Sequence, residues 1–270
     1  MNFSAAEKQR LISQYGPWAV VTGASSGIGR ELAERLAEAG MHLVLSARRE
    51  NLLEDLAQSL RSRYHRQVQV VASDLSSAEG QQKLLKATEN QDIGLLVAAA
   101  GFGTSGLLTE SSPEEELNML DLNCGAVYVL SHAFGRRLAA RGRGGIILMS
   151  SIVAFQGVPY SAHYAATKAY NQSLAEALAV ELKPLGVDVL AAAPATVDSG
   201  FASRANMKLS GAMSPAEIGV ETLKALGRKT VVFPGLLSKL LTFALTTVPR
   251  WAKVQIMKQV MGGFTKHQRT

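Results

Sequence analysis

Seven short runs rich in Val, Leu and Ile recur along the chain: WAVVT (18–22), HLVLSA (42–47), VQVVA (68–72), IGLLVAA (93–99), GIILMS (145–150), VDVLAAA (187–193) and TVVF (230–233). Each is apolar almost throughout rather than at alternate positions, the pattern of strands buried on both faces of a parallel sheet. Between the runs, apolar positions fall at steps of three and four, as in Ile28, Leu32, Leu36 and Ala39, with Gly40 as a stop signal. Longer helices are predicted over about 113–140 and about 164–182, the second ended by Lys183-Pro184 because proline cannot continue a helix. Strands alternating with helical segments define repeated βα units. The fold class predicted is α/β, one doubly wound parallel sheet of about seven strands flanked by helices.

The pattern changes near the C-terminus. Leu237, Leu240, Leu241, Ala244, Leu245 and Val248 form an apolar helical stripe, and after Pro249 the residues Trp251, Val254, Met257, Met261 and Phe264 form a looser one. Residues 1–235 therefore read as the α/β body and 236–270 as a C-terminal helical extension of the same domain. Charge sharpens the division. The net charge is +6, yet no Asp or Glu follows Glu221 while nine Lys and Arg do, which leaves 19 basic and 22 acidic residues before that point. The basic character belongs to the tail and gives no reason to expect a nucleic-acid partner. The stripes are expected to pack over a substrate pocket or a subunit interface, or else to make peripheral contact with a membrane, since basic amphipathic helices suit anionic surfaces.

Val231 to Val248 is interrupted by Pro234 and Lys239 and does not read as a membrane-spanning helix. The first seventeen residues carry Glu7, Lys8 and Arg10 and lack the continuous apolar region of a secretory signal. Cys124 is the single cysteine, which excludes an intrachain disulfide and a cysteine-based zinc site and fits a reducing compartment. The expectation is a cytoplasmic protein, with no metal.

Candidate chemistry begins where the first run ends, at Thr22-Gly23-Ala24-Ser25-Ser26-Gly27-Ile28-Gly29. Glycines here allow a tight turn and close approach of a ligand, and the helix N-terminus that follows offers free N–H groups to a pyrophosphate. The spacing G-x-x-x-G-x-G departs from the usual G-x-G-x-x-G. The second run ends Ser46-Ala47-Arg48-Arg49. A ribose 2′-hydroxyl is usually held by an acid near this point, whereas a 2′-phosphate needs a cation, so NADP(H) is expected over NAD(H), with Arg48 first and Arg49 second as its partners.

With these features the chain resembles the short-chain dehydrogenase/reductase family over about residues 16–205, which implies a Rossmann-like fold. TGASSGIG matches the family's cofactor turn, Asp74-Leu75 its adenine-contacting pair, and Tyr164-Ala-Ala-Thr-Lys168 its Y-x-x-x-K signature. Ser151, thirteen residues before Tyr164, and Asn123 stand where the family places the other two members of a catalytic tetrad. The resemblance implies a cofactor site of Gly23, Ser25, Ser26, Gly27, Ile28, Gly29, Asp74, Leu75, Ala100, Gly101, Pro194 and Val197, with Tyr164 and Lys168 also touching the cofactor. It implies a homodimer or homotetramer. Two departures stand out. The family's N-N-A-G is replaced by Ala98-Ala99-Ala100-Gly101, which removes asparagines that tie strands together. A P-G pair is replaced by Pro194-Ala195, whose backbone must suit a residue with a Cβ.

Reduction of a carbonyl needs a hydride donor and a positioned acid. A tyrosine hydroxyl titrates near 10, and bringing it two to three units closer to neutrality needs about 3–4 kcal/mol of preferential stabilisation of the phenolate, for which a nearby ammonium is the expected source. In PYSAHYAATKAY (159–170) only Tyr164 lies one helical turn from Lys168; Tyr160 precedes the helix, and Tyr170 faces elsewhere as a packing residue. Tyr164 is the expected acid. By resemblance Ser151 would bond the carbonyl oxygen, Lys168 would hold the ribose, and Asn123 would place a water that relays protons. His163 is expected to be a surface or pocket-wall residue, and Cys124 a small buried side chain beside Asn123. Ile152 to Gln156, Phe102 to Thr104 and the stretch after Pro194 would line a mostly apolar pocket for a small hydrophobic carbonyl or alcohol. The alternative reading is a non-catalytic NADP(H)-binding sensor or scaffold, against which the complete tetrad argues.

Overall fold

In the computed structural model, which describes residues 3–208 and 211–268, seven parallel strands form one sheet in the order β3-β2-β1-β4-β5-β6-β7. They are β1 (Trp18–Thr22), β2 (His42–Ala47), β3 (Val68–Ala72), β4 (Ile93–Ala98), β5 (Gly144–Met149), β6 (Val187–Ala192) and the two-residue β7 (Val231–Val232). The helices are α1 (Ala5–Tyr15), α2 (Gly27–Ala39), α3 (Glu50–Tyr64), α4 (Ala78–Ala87), α5 (Pro113–Leu120), α6 (Ala126–Arg141), α7 (Ala162–Glu181), α8 (Phe201–Arg204), α9 (Pro215–Ala225), α10 (Leu236–Thr246) and α11 (Arg250–Phe264). The expected sheet is thus present, with each strand within a residue or two of its apolar run.

Strand alternation divides the core in two. Val21, Leu43, Leu45, Val97, Ile147 and Leu190 face Leu11, Leu36, Leu56 and Leu223 of the α1, α2, α3 and α9 layer. Val20, Val44, Leu96, Ile146, Leu148 and Val189 face Leu84, Leu130, Phe134 and Ala175 of the α4, α6 and α7 layer. Neighbouring strand residues point to opposite faces, so a strand covered on both sides must be apolar at every position.

The chain runs outward from β1 to β3 and then crosses to β4 on the other side of β1. In such sheets, the strand ends beside that reversal form a crevice that can hold a ligand. Here it brings the Thr22–Gly29 turn beside Ala98–Gly101.

Three features differ from the sequence expectation. Ala5–Tyr15 is a helix, capped by Ser4, whose Oγ accepts from the Glu7 N–H at 3.2 Å. Its Leu11 and Tyr15 are buried, and Tyr15 Oη donates to Asp188 at 2.8 Å. The helix expected over 113–140 is interrupted by a π turn, Asp121–Gly125, which contains Asn123. In the tail the two stripes part company. On α11, Met257 and Met261 are buried against Val158 and Ala165, with Tyr160, Met207 and Phe264 alongside, but Trp251 is exposed. Among the described side chains of α10 the buried one is Ser238, while Leu240 and Ala244 face outward. Arg269 and Thr270, the end of the extension, lie outside the described residues. Among the described residues no helix is long and apolar enough to cross a membrane, and no cluster of three or more His, Cys, Asp or Glu could hold a metal ion.

Candidate active site

The glycine turn owes its path to residues without side chains. Gly23 and Gly27 have φ of 66° and 57°, where a Cβ is strained. A Cβ on Gly23 would stand 2.8 Å from the Ala100 backbone, and one on Gly29 would stand 2.4 Å from the Gly23 carbonyl oxygen. β1, β4 and the start of α2 therefore touch backbone to backbone. Ser26, the N-cap of α2, makes no side-chain capping bond. Its hydroxyl, with that of Ser25, instead accepts from Arg49 Nη2, at 2.8 and 2.9 Å. The N-terminus of α2 with a guanidinium beside it suits a phosphate-bearing ligand. Arg48 is exposed at the end of β2. Of the two arginines, the fold turns the second toward the glycine turn. Ile28 is half-buried against Val197, Met213 and Ile218.

On the next strand end, Thr22 takes the place of the missing asparagines. Its buried Oγ1 accepts from the Ala99 and Ala100 N–H groups, both at 3.0 Å, and donates to the Val97 carbonyl at 3.4 Å. One hydroxyl thus ties β1 to β4. Asp74 is exposed and accepts from Ser76 N–H and Oγ at 3.0 and 2.8 Å, while Leu75 is buried. After β6, the Pro194 carbonyl accepts from Ile152 N–H at 3.1 Å and from Ser151 Oγ at 3.3 Å. The Ala195 N–H donates to Ser238 Oγ of α10 at 2.8 Å. Ala195 is not among the residues with positive φ, so the exchanged glycine costs no strain. Val197 is buried and bridges Met213, and Ser199 lies so near the turn that a Cβ on Gly27 would meet its Cβ at 2.6 Å.

The hydroxyl and ammonium groups gather along this edge. Ser151 caps the short 3-10 turn Ile152–Phe155, and Ser150 faces away, donating to the Lys168 carbonyl at 3.2 Å. Tyr164 and Lys168 are one turn apart on α7, with Lys168 Nζ 5.6 Å from the tyrosine ring centroid. Nζ is buried and donates to the Met149 carbonyl at 2.9 Å, and burial lowers its pKa from 10.5 to about 8. Tyr164 differs from expectation: burial pushes its hydroxyl above the ordinary value, and a hydrogen bond with Ser151 acts the other way. The ammonium lies over the ring and is turned to a carbonyl, so in the protein by itself desolvation prevails.

Asn123, fully buried in the π turn, accepts from Phe102 N–H at 3.1 Å and donates to the Phe102 carbonyl at 2.9 Å and Thr167 Oγ1 at 3.0 Å. Its amide holds the loop after β4 to α7. A Cβ on Gly101 would stand 2.8 Å from Asn123 Oδ1 and 3.7 Å from Lys168 Nζ, so Gly101 separates the two.

Phe201 of α8 completes the site and was not singled out by any sequence pattern. Its ring centroid is 5.0 Å from that of Tyr164. A Cβ on Gly103 would come within 2.4 Å of Phe201 and 3.0 Å of Tyr164. The segment behind Phe201 is held on two sides. Arg204 pairs with Glu115 at 2.6 Å and lies over the Phe102 ring. Lys208 N–H donates to the Phe264 carbonyl at 3.0 Å, and Gln268 Nε2 donates to Ser105 Oγ at 2.9 Å and to the Asn206 carbonyl. His163 has a partner that its sequence neighbourhood did not reveal, Glu116 of α5, at 2.7 Å. Cys124 is buried, its thiol pushed up to about 11 by burial. Tyr160, at φ 62°, precedes α7 and packs beside α11, and Tyr170 is exposed rather than packed.

A glycine turn suited to a phosphate at the switch point of a parallel sheet, joined along one edge to a tyrosine, a serine and a buried lysine, has the layout of an oxidoreductase that works with a nucleotide cofactor. The chain belongs to the short-chain dehydrogenase family, whose model, described as "short chain dehydrogenase", matches residues 17–209. It is 30% identical over 234 residues to a 7beta-hydroxysteroid dehydrogenase of Mediterraneibacter gnavus, an alignment that covers 83% of this chain and 88% of the relative. Its fold superposes with a TM-score of 0.85 on a solved 7beta-hydroxysteroid dehydrogenase, at 27% identity over 92% of this chain and 98% of the other. A short-chain dehydrogenase from Sphingobium yanoikuyae in complex with NADPH superposes with a TM-score of 0.79, at 30% identity over 87% and 97%.

Proposed function

We propose that this protein is an NADP(H)-dependent oxidoreductase that interconverts a carbonyl and an alcohol on a hydrophobic substrate, with Tyr164 as general acid and base. One observation carries the reading: Tyr164 stands one turn of α7 before Lys168, whose buried ammonium lies 5.6 Å from the centre of its ring. The glycine turn and the N-terminus of α2 would hold the cofactor's pyrophosphate, Arg49 its 2′-phosphate, Asp74-Leu75 its adenine, and Lys168 its ribose. NADP(H) supplies or takes up the hydride. In the reducing direction the Tyr164 O–H donates its proton to the substrate oxygen, and in the oxidising direction the phenolate takes it back. The Ser151 hydroxyl hydrogen-bonds the same oxygen and steadies its developing charge. Asn123 positions Phe102 and α7 through its three hydrogen bonds.

The apolar walls Phe102, Ile152, Val153, Phe155 and Phe201 favour a bulky hydrophobic carbonyl. The relatives' names make steroid ketones the first class to try, with 3-oxoacyl thioesters second. Exposed Leu117 and Leu120 on α5, Tyr128 on α6 and Tyr170 on α7 support a homo-oligomer that pairs through these helices. The test is loss of NADPH absorbance across these carbonyl classes. Tyr164→Phe is expected to lower kcat at least about 10³-fold, as expected for loss of the proton donor, and to leave NADPH binding intact. Tyr160→Phe is expected to keep most activity. Equal losses in both variants would remove Tyr164 from this role.

A further inference from the structure

The outward face of the C-terminal extension is apolar and cationic at once. On α10, Leu236, Leu240 and Phe243 stand at steps of four and three, hence on one face, and are 69%, 56% and 81% exposed. Trp251 follows at the start of α11 and is 73% exposed. This is more than the scattered single apolar residue normal on a protein surface. The helix cannot turn this face inward, because its other side is already in use: Ser238 is buried and accepts from the Ala195 N–H, and Leu237 packs near Val197, Met213 and Ile218.

The charges beside this face are of one sign. Lys239 is neutralised by Glu221 at 2.8 Å. Arg250, Lys253 and Lys258 have no ion-pair partner among the described residues, and the chain contains no acid beyond Glu221. A second copy of the chain pairing about a two-fold axis through this face would set these cations against their own copies, which is unfavourable. An anionic lipid surface satisfies both properties, because the apolar side chains enter the headgroup boundary while the cations meet the headgroups.

We infer that α10 and the start of α11 form a peripheral docking surface for anionic membranes, with Leu236, Leu240, Phe243 and Trp251 inserting and Arg250 and Lys253 reading the charge. Met257 and Met261, further along α11, pack on Val158 and beside Tyr160 and Met207. The helix pair that carries the docked residues thus also packs on the segment that precedes α7. Docking itself does not depend on the catalytic reading.

The test is vesicle flotation of the full chain with phosphatidylcholine alone and with phosphatidylcholine containing phosphatidylglycerol, alongside sedimentation velocity without lipid. The wild-type chain is expected to float with the anionic vesicles only, and to be released at about 0.5 M salt, where charge attraction is screened. Phe243→Ser with Trp251→Ser, and separately Arg250→Glu with Lys253→Glu, are each expected to cut the bound fraction at least about tenfold while an unchanged circular dichroism spectrum shows the fold intact. Absence of wild-type flotation, or flotation of either double variant equal to that of the wild type, overturns the inference. So does a lipid-free oligomer that falls apart in the Phe243→Ser, Trp251→Ser variant, which would assign the face to a second copy.

Discussion

Replacing Thr22 with valine removes one oxygen atom and leaves the outline of the side chain nearly unchanged, so its effect reports almost entirely on hydrogen bonds. That oxygen accepts from Ala99 and Ala100 N–H groups and donates to the Val97 carbonyl. The losses are unequal. The Ala99 N–H also donates to the Val97 carbonyl at 3.1 Å and keeps that partner, whereas the Ala100 N–H loses its acceptor at a half-buried position. A buried donor left without a partner costs about 1–3 kcal/mol, and the weakened bonds at Ala99 and Val97 add less, so the expected destabilisation is about 2–3 kcal/mol. Thr22→Ser keeps the oxygen and deletes a buried methyl, for an expected loss of about 1 kcal/mol. Urea denaturation of the three proteins measures both differences. If Ala100 and Gly101 border the cofactor as proposed, Thr22→Val should also weaken NADPH binding. A valine variant as stable as the serine variant would refute the idea that this hydroxyl replaces the absent asparagines.

Three further outcomes are expected. Arg49→Ala should raise the KM for NADPH about 10- to 100-fold with little change for NADH, and Arg48→Ala should do less; the reverse ranking in cofactor-dependence assays would reassign the 2′-phosphate contact. Lys168→Met should abolish turnover and change the stability profile with pH. Because burial lowers the folded-state pKa from 10.5 to about 8, wild-type stability rises between those values by up to about 3 kcal/mol, and the variant should lose this rise; parallel urea profiles at pH 7 and pH 10 would count against it. Ser238→Ala strands the Ala195 N–H and frees the turn whose carbonyl bonds Ser151. It should therefore lower kcat about tenfold with little change in substrate KM, while a pure loss of thermal stability at unchanged kcat would mean the bond is only structural.

What could be read from the sequence was whatever repeats or matches a local pattern. The strands are legible because both faces of each are covered, which forces unbroken apolar runs such as Leu43-Val44-Leu45. The Tyr164–Lys168 relation is legible because a helix places residues four apart on one face. The π turn around Asn123 was not legible, because it inserts into an otherwise helical pattern without interrupting its apolar spacing, and the partners of the amide, Phe102 and Thr167, are distant in sequence. Thr22 carried only the signal of a hydroxyl at a strand end. Ser238, the one uncharged polar residue inside Leu236-Leu237-Ser238-Lys239-Leu240-Leu241, marks the inward side of α10, which the spacing of the leucines alone does not reveal. The sequence ranks Arg48 ahead of Arg49, whereas the fold turns Arg49 toward the glycine turn, because the direction of each side chain depends on how the chain leaves β2.

The contact of Phe201 with Tyr164 has a practical side. The aromatic that stands against Tyr164 is tethered through Lys208, Ser105 and Asn206 to Phe264 and Gln268. Fusing an affinity tag to the C-terminus, or trimming a few residues to aid crystallisation, therefore alters the same tether that sets how Phe201 rests on the tyrosine. A tag at the N-terminus joins the chain ahead of α1, which packs beneath the opposite end of the sheet through Tyr15 and Asp188, and leaves the tether as the sequence built it.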